Sequence, residues 1–403
     1  MRKSDLLLLS SVLAIALIVF GICAAIYLGK GETVVVRVDG EEYARLPLDE
    51  DAELLIEGIN GGTNLLIIKD GKAYIREATC PDLVCVHTGH ADELKSIVCL
   101  PNRVTVSIEK YITEKNMSEL ITIKNEHLTA TVSTLGAELQ SLCDKDGKEY
   151  IWQGDPAVWS GRAPILFPIC GGLKSDRYTL LGKEYELSKH GFAKRSEFTL
   201  VHTDGKSAVF SLCENEETLR SYPFRFEFTV SFTLVDEALC VGFKVNNLSD
   251  ETMYFSCGAH EGFALPDGID GAKVIFEKAE NHKNYKVTEG LLDTVYEDLG
   301  DGSDTLTLKR ELFAVDAVVL PEIVSRSLTL VSADSSRKIK VEFPDFEHLL
   351  IWQVCGADYV CIEPWSGLPD IYGGKSFAIE EKESITSLSA GESLTYRHKI
   401  TIL

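Results

Sequence analysis

The chain has 403 residues, 45% of them hydrophobic, which is enough to bury a sizeable core or more than one and sets disorder aside. A formal net charge of −22 at pH 7 opposes attraction to phosphate backbones and argues against a nucleic-acid partner. Neither a G-x-x-x-x-G-K-[ST] nor a G-x-G-x-x-G run occurs, so no nucleotide cofactor has a recognisable cradle and the chemistry is expected to rest on side chains.

Leu6 to Leu28 carries no charge and is long enough to cross a bilayer as one helix. A cleaved signal peptide is the competing reading, but its apolar core spans about 7–15 residues and ends at small side chains. Here Ala24 and Ala25 are followed by Ile26, Tyr27 and Leu28, so residues 1–30 are expected to form an uncleaved membrane anchor. Arg2 and Lys3 precede the segment and Lys30 alone follows it. The positive-inside bias then puts the amino terminus in the cytoplasm and the globular part outside, as a single-pass membrane protein.

Residues 31–110 read as a small β domain. TVVVRVDGEEYARLPL and LLIIKDGKAYIRE have strand composition, with Asp39-Gly40 and Asp70-Gly71 suited to tight turns. CPDLVC (Cys80, Cys85) and IVCLPN (Cys99) complete it. These stretches resemble the small membrane-tethered proteins built on the domain II fold of NusG, although Gly61-Gly62-Thr63-Asn64 stands where that family more often has one glycine before the asparagine. Three readings of the cysteines remain open: a disulfide between two of the three, inert thiols, or a metal site completed by His87 and His90.

EKYITEKNMSEL lacks a sustained apolar pattern, and the linker is placed at residues 111–119. Met117 opens the next stretch as a separate enzyme would begin, so a fusion of two reading frames and a plain internal methionine both fit. From residue 120 to 403 strands dominate. Phe226, Phe228, Val230, Phe232 and Leu234 alternate with polar residues, and Leu239, Val241, Phe243 and Val245 repeat the pattern after Asp236-Glu237. LTLVSADSSRKIKVEF reads as another hairpin. The expected fold class is all-β, a large antiparallel β-sandwich preceded by a small β domain and one transmembrane helix.

Four segments combine turn residues with ionisable groups: WSGRAPILFPICGG, KHGFAKR, FSCGAHEGF and CIEPWSG. In this order, with GAELQSL, EYIWQGDP, EETLRSYPF and LSAGESLTY, they resemble the LacX-like branch of the aldose 1-epimerase and galactose mutarotase superfamily, over about Ile121 to Leu403. The resemblance implies a supersandwich fold and an isomerase that interconverts the α and β anomers of a free aldose without metal or other cofactor. Ring opening needs a base at the anomeric hydroxyl and an acid at the ring oxygen. By the same resemblance Glu363 is the base and His260 the acid, with His190 a third catalytic residue that hydrogen-bonds the sugar or steadies charge developing on the ring oxygen; Asp316 is a substrate contact, and Arg162 is expected either to contact the sugar or to pair with a surface carboxylate. Asp316 is expected in an apolar strand, where an unpaired carboxylate is costly. Trp152, Trp159, Trp352 and Trp365 could each stack on a sugar face or pack the sandwich, and Trp365, two residues from Glu363, is the one expected to stack on the ring.

Lys194 replaces a common arginine and Glu261 a common proline, which leaves the substrate range open. A non-catalytic, membrane-tethered carbohydrate-binding module and a hexose-phosphate epimerase are the alternatives. Cys143, Cys170, Cys213, Cys240, Cys257, Cys355 and Cys361 look like reduced, cytoplasmic usage, so a cytoplasmic epimerase domain competes with the topology read from the anchor. The sugar and the oligomeric state are not legible.

Overall fold

The computed structural model describes residues 32–39, 41–81, 83–91, 96–99, 101–110, 118–299, 302–374 and 377–403. The expected anchor at Leu6–Leu28 lies outside the described residues, as does most of the expected linker. Among the described residues no helix is long and apolar enough to cross a membrane. The chain divides into two compact units, Met1–Met117 and Ser118–Leu403.

The first unit contains two four-stranded sheets. One runs in the order Glu41–Pro47, Glu32–Val38, Val104–Lys110, Ile97–Cys99; the other runs Ala52–Glu57, Thr63–Lys69, Lys72–Ala78, His90–Ala91. The expected turn at Asp70-Gly71 is present: both residues have positive φ and Lys69 pairs with Lys72 across it. That geometry matches the twist of the flanking strands, which is why Asp-Gly is favoured there. Val34, Val36, Leu66, Ile75, Val104 and Val106 fill the core, and Cys80, Cys85 and Cys99 belong to it.

In the second unit a nine-stranded antiparallel sheet is built around the hairpin Phe226–Val235 and Ala238–Asn247. Its first strand alternates buried and half-buried positions without a break from Phe226 to Leu234, as the period-2 pattern predicts. Asp236 supplies the positive φ at the turn. The hairpin read from LTLVSADSSRKIKVEF is also formed, pairing Ser327–Val331 with Lys338–Glu342. A four-stranded antiparallel sheet, in the order Glu261–Ala264, Tyr359–Trp365, His348–Trp352, Val318–Leu320, packs against it through one continuous core. Phe228, Phe243 and Phe346 meet Val360, Ile362, Leu349 and Ile351 there. Each buried aromatic or aliphatic side chain contributes about 1.5–3 kcal/mol.

The strand Tyr359–Trp365 is buried along its whole length. Its even positions, Val360 and Ile362, face the core, so its odd positions must face the opposite side of the sheet. Tyr359, Cys361, Glu363 and Trp365 therefore share one face. Cross-strand pairing adds Leu350 beside Glu363 and Trp352 beside Cys361. This outward face carries the chemistry.

Candidate active site

A cleft of about 580 Å³ opens over that face, a volume suited to a monosaccharide. Its walls include His190, His260, Glu363, Asp316, Trp159 and Trp352. A larger groove of about 840 Å³ lies on the nine-stranded sheet, but there Glu342 is already paired with both Lys340 and Lys399.

Glu363 is 2% exposed and His260 8% exposed, and His260 Nε2 stands 3.3 Å from Glu363 Oε1. Their registers explain the meeting. Glu363 projects from the middle of its strand, while His260 ends the FSCGAH segment just before the strand Glu261–Ala264 pairs with it. Burial pushes the His260 imidazole down to about 3, and burial also pushes the Glu363 carboxyl well above the carboxylate range, opposed by the nearby charge of Lys189 and reinforced by those of Asp316 and Glu261. Both shifts have the same main cause, the desolvation of a charged form. The two groups thus form one neutral unit that holds a single proton.

His190 is held by its own backbone. Its N–H donates to the Gly171 carbonyl at 2.9 Å, and the Gly171 N–H donates to His190 Nδ1 at 3.1 Å. Because Nδ1 accepts, the ring proton is on Nε2. Burial holds this imidazole well below its ordinary value, so it stays a neutral donor. His190 and Gly191 both have positive φ, and a Cβ on Gly191 would lie 2.3 Å from the Phe167 carbonyl oxygen. Only glycine fits after this histidine. The His190 ring stands 5.9 Å from that of His260, edge to face.

Aromatic rings enclose His260. Trp159 lies 5.4 Å away and Trp352 5.6 Å away, and Trp159 is stacked on Tyr359. Both tryptophans line the cleft and remain half-buried, so they present ring surface to a ligand. Trp365 also borders the cleft, but it is 3% exposed, packs among Leu166, Cys170 and Leu350, and donates its indole N–H to the Ala259 carbonyl. Gly258 permits this packing, since a Cβ there would meet the indole at 2.5 Å. Trp365 thereby steadies the segment that carries His260.

Asp316 lines the cleft, half-buried, but in a bend before the strand Val318–Leu320 rather than within a strand. Its Oδ1 accepts the Ala317 N–H at 2.7 Å, which supplies a partner for the carboxylate, although not inside an apolar strand as expected. Arg162 is not among the cleft-lining residues; its guanidinium donates to Gln140 Oε1 at 2.8 Å. The cations on the cleft are Lys189 and Lys194, and burial lowers the Lys194 ammonium to about 8. His260, Cys361 and Glu363 offer donor atoms within 4.8 Å of one another, the one grouping on this face with metal-ligand chemistry among the described residues.

The profile of the aldose 1-epimerase family matches residues 119–401. The chain belongs to the aldose 1-epimerase family. Protein LacX of Lactococcus lactis subsp. lactis, in its plasmid form, is 36% identical over 299 residues, covering 70% of this chain and 99% of that protein. A galactose mutarotase related enzyme from Lactobacillus acidophilus superposes with a TM-score of 0.68 at 32% identity, over 71% of this chain and 97% of its own. A galactose mutarotase-like protein from Lactobacillus casei gives the same TM-score at 31% identity, over 71% and 100%. The NusG domain II profile matches residues 8–111.

Family membership supports an epimerase acting on a sugar in general. Sequence alone does not single out Lys189 as a site residue of this aldose 1-epimerase, and it ranks Trp159 and Trp352 below Trp365 as candidates for stacking on the ring. Lys189 and Trp159 sit inside the motifs KHGFAKR and WSGRAPILFPICGG, so their neighbourhood was visible. Trp352 joins the site only through cross-strand register, which no local pattern encodes.

Proposed function

We propose that residues 119–401 interconvert the α and β anomers of a free aldose by general acid–base ring opening and closure. The observation that carries this reading is the buried His260–Glu363 pair, 3.3 Å apart on the face of a sugar-sized cleft. Glu363 takes the proton of the anomeric hydroxyl and His260 delivers one to the ring oxygen; the C1–C2 bond rotates, and closure reverses both transfers. In the free site, burial favours the proton on Glu363. Sugar hydroxyls that donate to the carboxylate stabilise its charged form and move the proton to His260, which prepares the acid. His190 Nε2–H donates to an oxygen of the sugar, Asp316 accepts from a hydroxyl, and Trp159 and Trp352 cover the ring face. A non-catalytic binding module has no use for a desolvated pair of this kind.

The test is polarimetry of a freshly dissolved aldohexose. Equilibration proportional to added protein, unchanged by EDTA, is the expected result. No acceleration, or activity lost with EDTA and restored by zinc, overturns the proposal. Lys189 and Lys194 favour a second reading, an anionic aldose such as a hexose phosphate, and the same assay with phosphorylated and free sugars separates the two. The uncharged stretch Leu6–Leu28 is proposed, on its composition, as a bilayer anchor with the globular part outside.

A further inference from the structure

The first unit places Cys80, Cys85 and Cys99 so that their sulfurs all lie within 4.8 Å of one another. Each is buried, at 1–3% exposure, and all three are free thiols. They come from three separate pieces of chain. Cys80 follows the strand Lys72–Ala78, Cys85 lies in the single turn Val84–His87, and Cys99 ends the strand Ile97–Cys99. Cys80 Sγ and Cys85 Sγ are 3.5 Å apart. His87 and His90 are exposed and do not belong to the group, so the metal site with histidines is not formed.

A second observation points at the sulfurs. Asn64 is fully buried, and its amide donates to Cys85 Sγ at 3.4 Å. Its orientation is fixed from behind by Asn102, whose amide donates to Asn64 Oδ1 at 2.7 Å and to the Thr63 carbonyl at 3.1 Å. An N–H held rigidly against a sulfur favours a thiolate over a thiol, the usual outer-shell arrangement around a thiolate-bound ion. Three thiolates about 2.3 Å from one ion stand about 4 Å apart, which this cluster meets with little movement. Any one disulfide, by contrast, strands the third thiol against it.

We propose that Cys80, Cys85 and Cys99 form a three-thiolate site for a soft, thiophilic d10 cation, with Cu(I) preferred over Zn(II). Thiolate sulfur favours these two d10 ions over hard, oxygen-seeking cations. The preference follows from coordination number: zinc seeks a fourth ligand, and no His or carboxylate joins the cluster among the described residues. In the metal-free unit, burial pushes the Cys85 thiol up to about 12 and raises Cys80 as well, and their mutual proximity adds to this for Cys85. A bound cation stabilises the thiolates directly and outweighs burial, so loading releases protons.

The experiment uses the full chain, reduced, without oxygen and in mild detergent, titrated with Cu(I) against the chromogenic chelator bicinchoninate, with X-ray absorption at the copper edge on the loaded protein. One Cu(I) retained per chain, with three sulfur neighbours, is expected, and Cys99→Ser lowers occupancy at least tenfold. Failure to retain Cu(I), two-sulfur coordination, or unchanged occupancy in Cys99→Ser overturns the site. Retention of Zn(II) in place of Cu(I) overturns the three-coordinate assignment. Should Cys99→Ser fail to fold, the sulfur count on the unaltered chain decides alone.

Discussion

Glu363 and His260 hold one proton between them, and that proton sets what single substitutions do. Glu363→Gln and His260→Asn are each expected to lower kcat by about 10²–10⁴-fold, the usual worth of general acid–base catalysis, with polarimetric kinetics as the measurement. Stability moves the other way. Because the folded Glu363 carboxyl sits well above its unfolded value, folding loses stability as pH rises from about 4.5 toward the folded value. Glu363→Gln removes that loss, so its Tm should match or exceed the parent's near neutral pH and lose the advantage near about pH 4. His260 has the opposite sign of dependence. Its folded value of about 3 lies below the ordinary 6.5, so its contribution is lost as pH falls from about 6.5 toward 3. Melting curves across this range check both directions; a Glu363→Gln variant that melts lower at neutral pH contradicts the buried-charge account.

The strand pair Glu261–Ala264 and Tyr359–Trp365 links the two sheets to the site. Glu261 pairs with Ile362 and so points toward the core, where its Oε1 meets His398 Nε2 at 2.7 Å. His398 comes from the strand Ser393–Ile402 of the nine-stranded sheet, and the two side chains are 7% and 0% exposed. The position that departs from the family's common proline is thus a buried tie between sheets, one residue after His260. Breaking such a pair leaves a buried polar group alone and costs about 3 kcal/mol. Glu261→Ala should therefore lower Tm by several degrees, while Glu261→Gln, which keeps a hydrogen-bond acceptor, recovers most of the loss. Equal melting of the alanine and parent proteins would show that the tie contributes nothing. Its acidic side chain was visible in GAHEGF, but its partner lies 137 residues away and carried no local signal.

At the scale of the molecule, the two units have separate cores. The first draws its buried residues from Val34 to Ile108 and the second from Ile123 to Ile400, with no residue in common. A fragment from Ser118 to Leu403 should fold and retain the parent's kcat within about twofold, since every cleft-lining residue lies inside it. Circular dichroism with polarimetry tests this, and an inactive but folded fragment would show that the site depends on the first unit.

The alternation of apolar residues, the Asp-Gly turns and the ordered motifs were enough to specify an all-β chain, its hairpins and the family of its larger part. Those features are local: a strand's burial pattern has period 2, and a turn's positive φ needs particular residues within two positions. The motifs also named His190, His260 and Glu363, each of which lies on the cleft. Tertiary structure alone decided the rest. Trp365 became a buried support and Trp159 and Trp352 the exposed ring faces, Arg162 turned to Gln140, Asp316 moved from an apolar strand to a bend, and Glu261 found His398. Likewise three cysteines spread over 20 residues converged on one point. Which side chains meet depends on register between strands distant in sequence, and register is settled by the packing of whole sheet faces, not by the residues on either side.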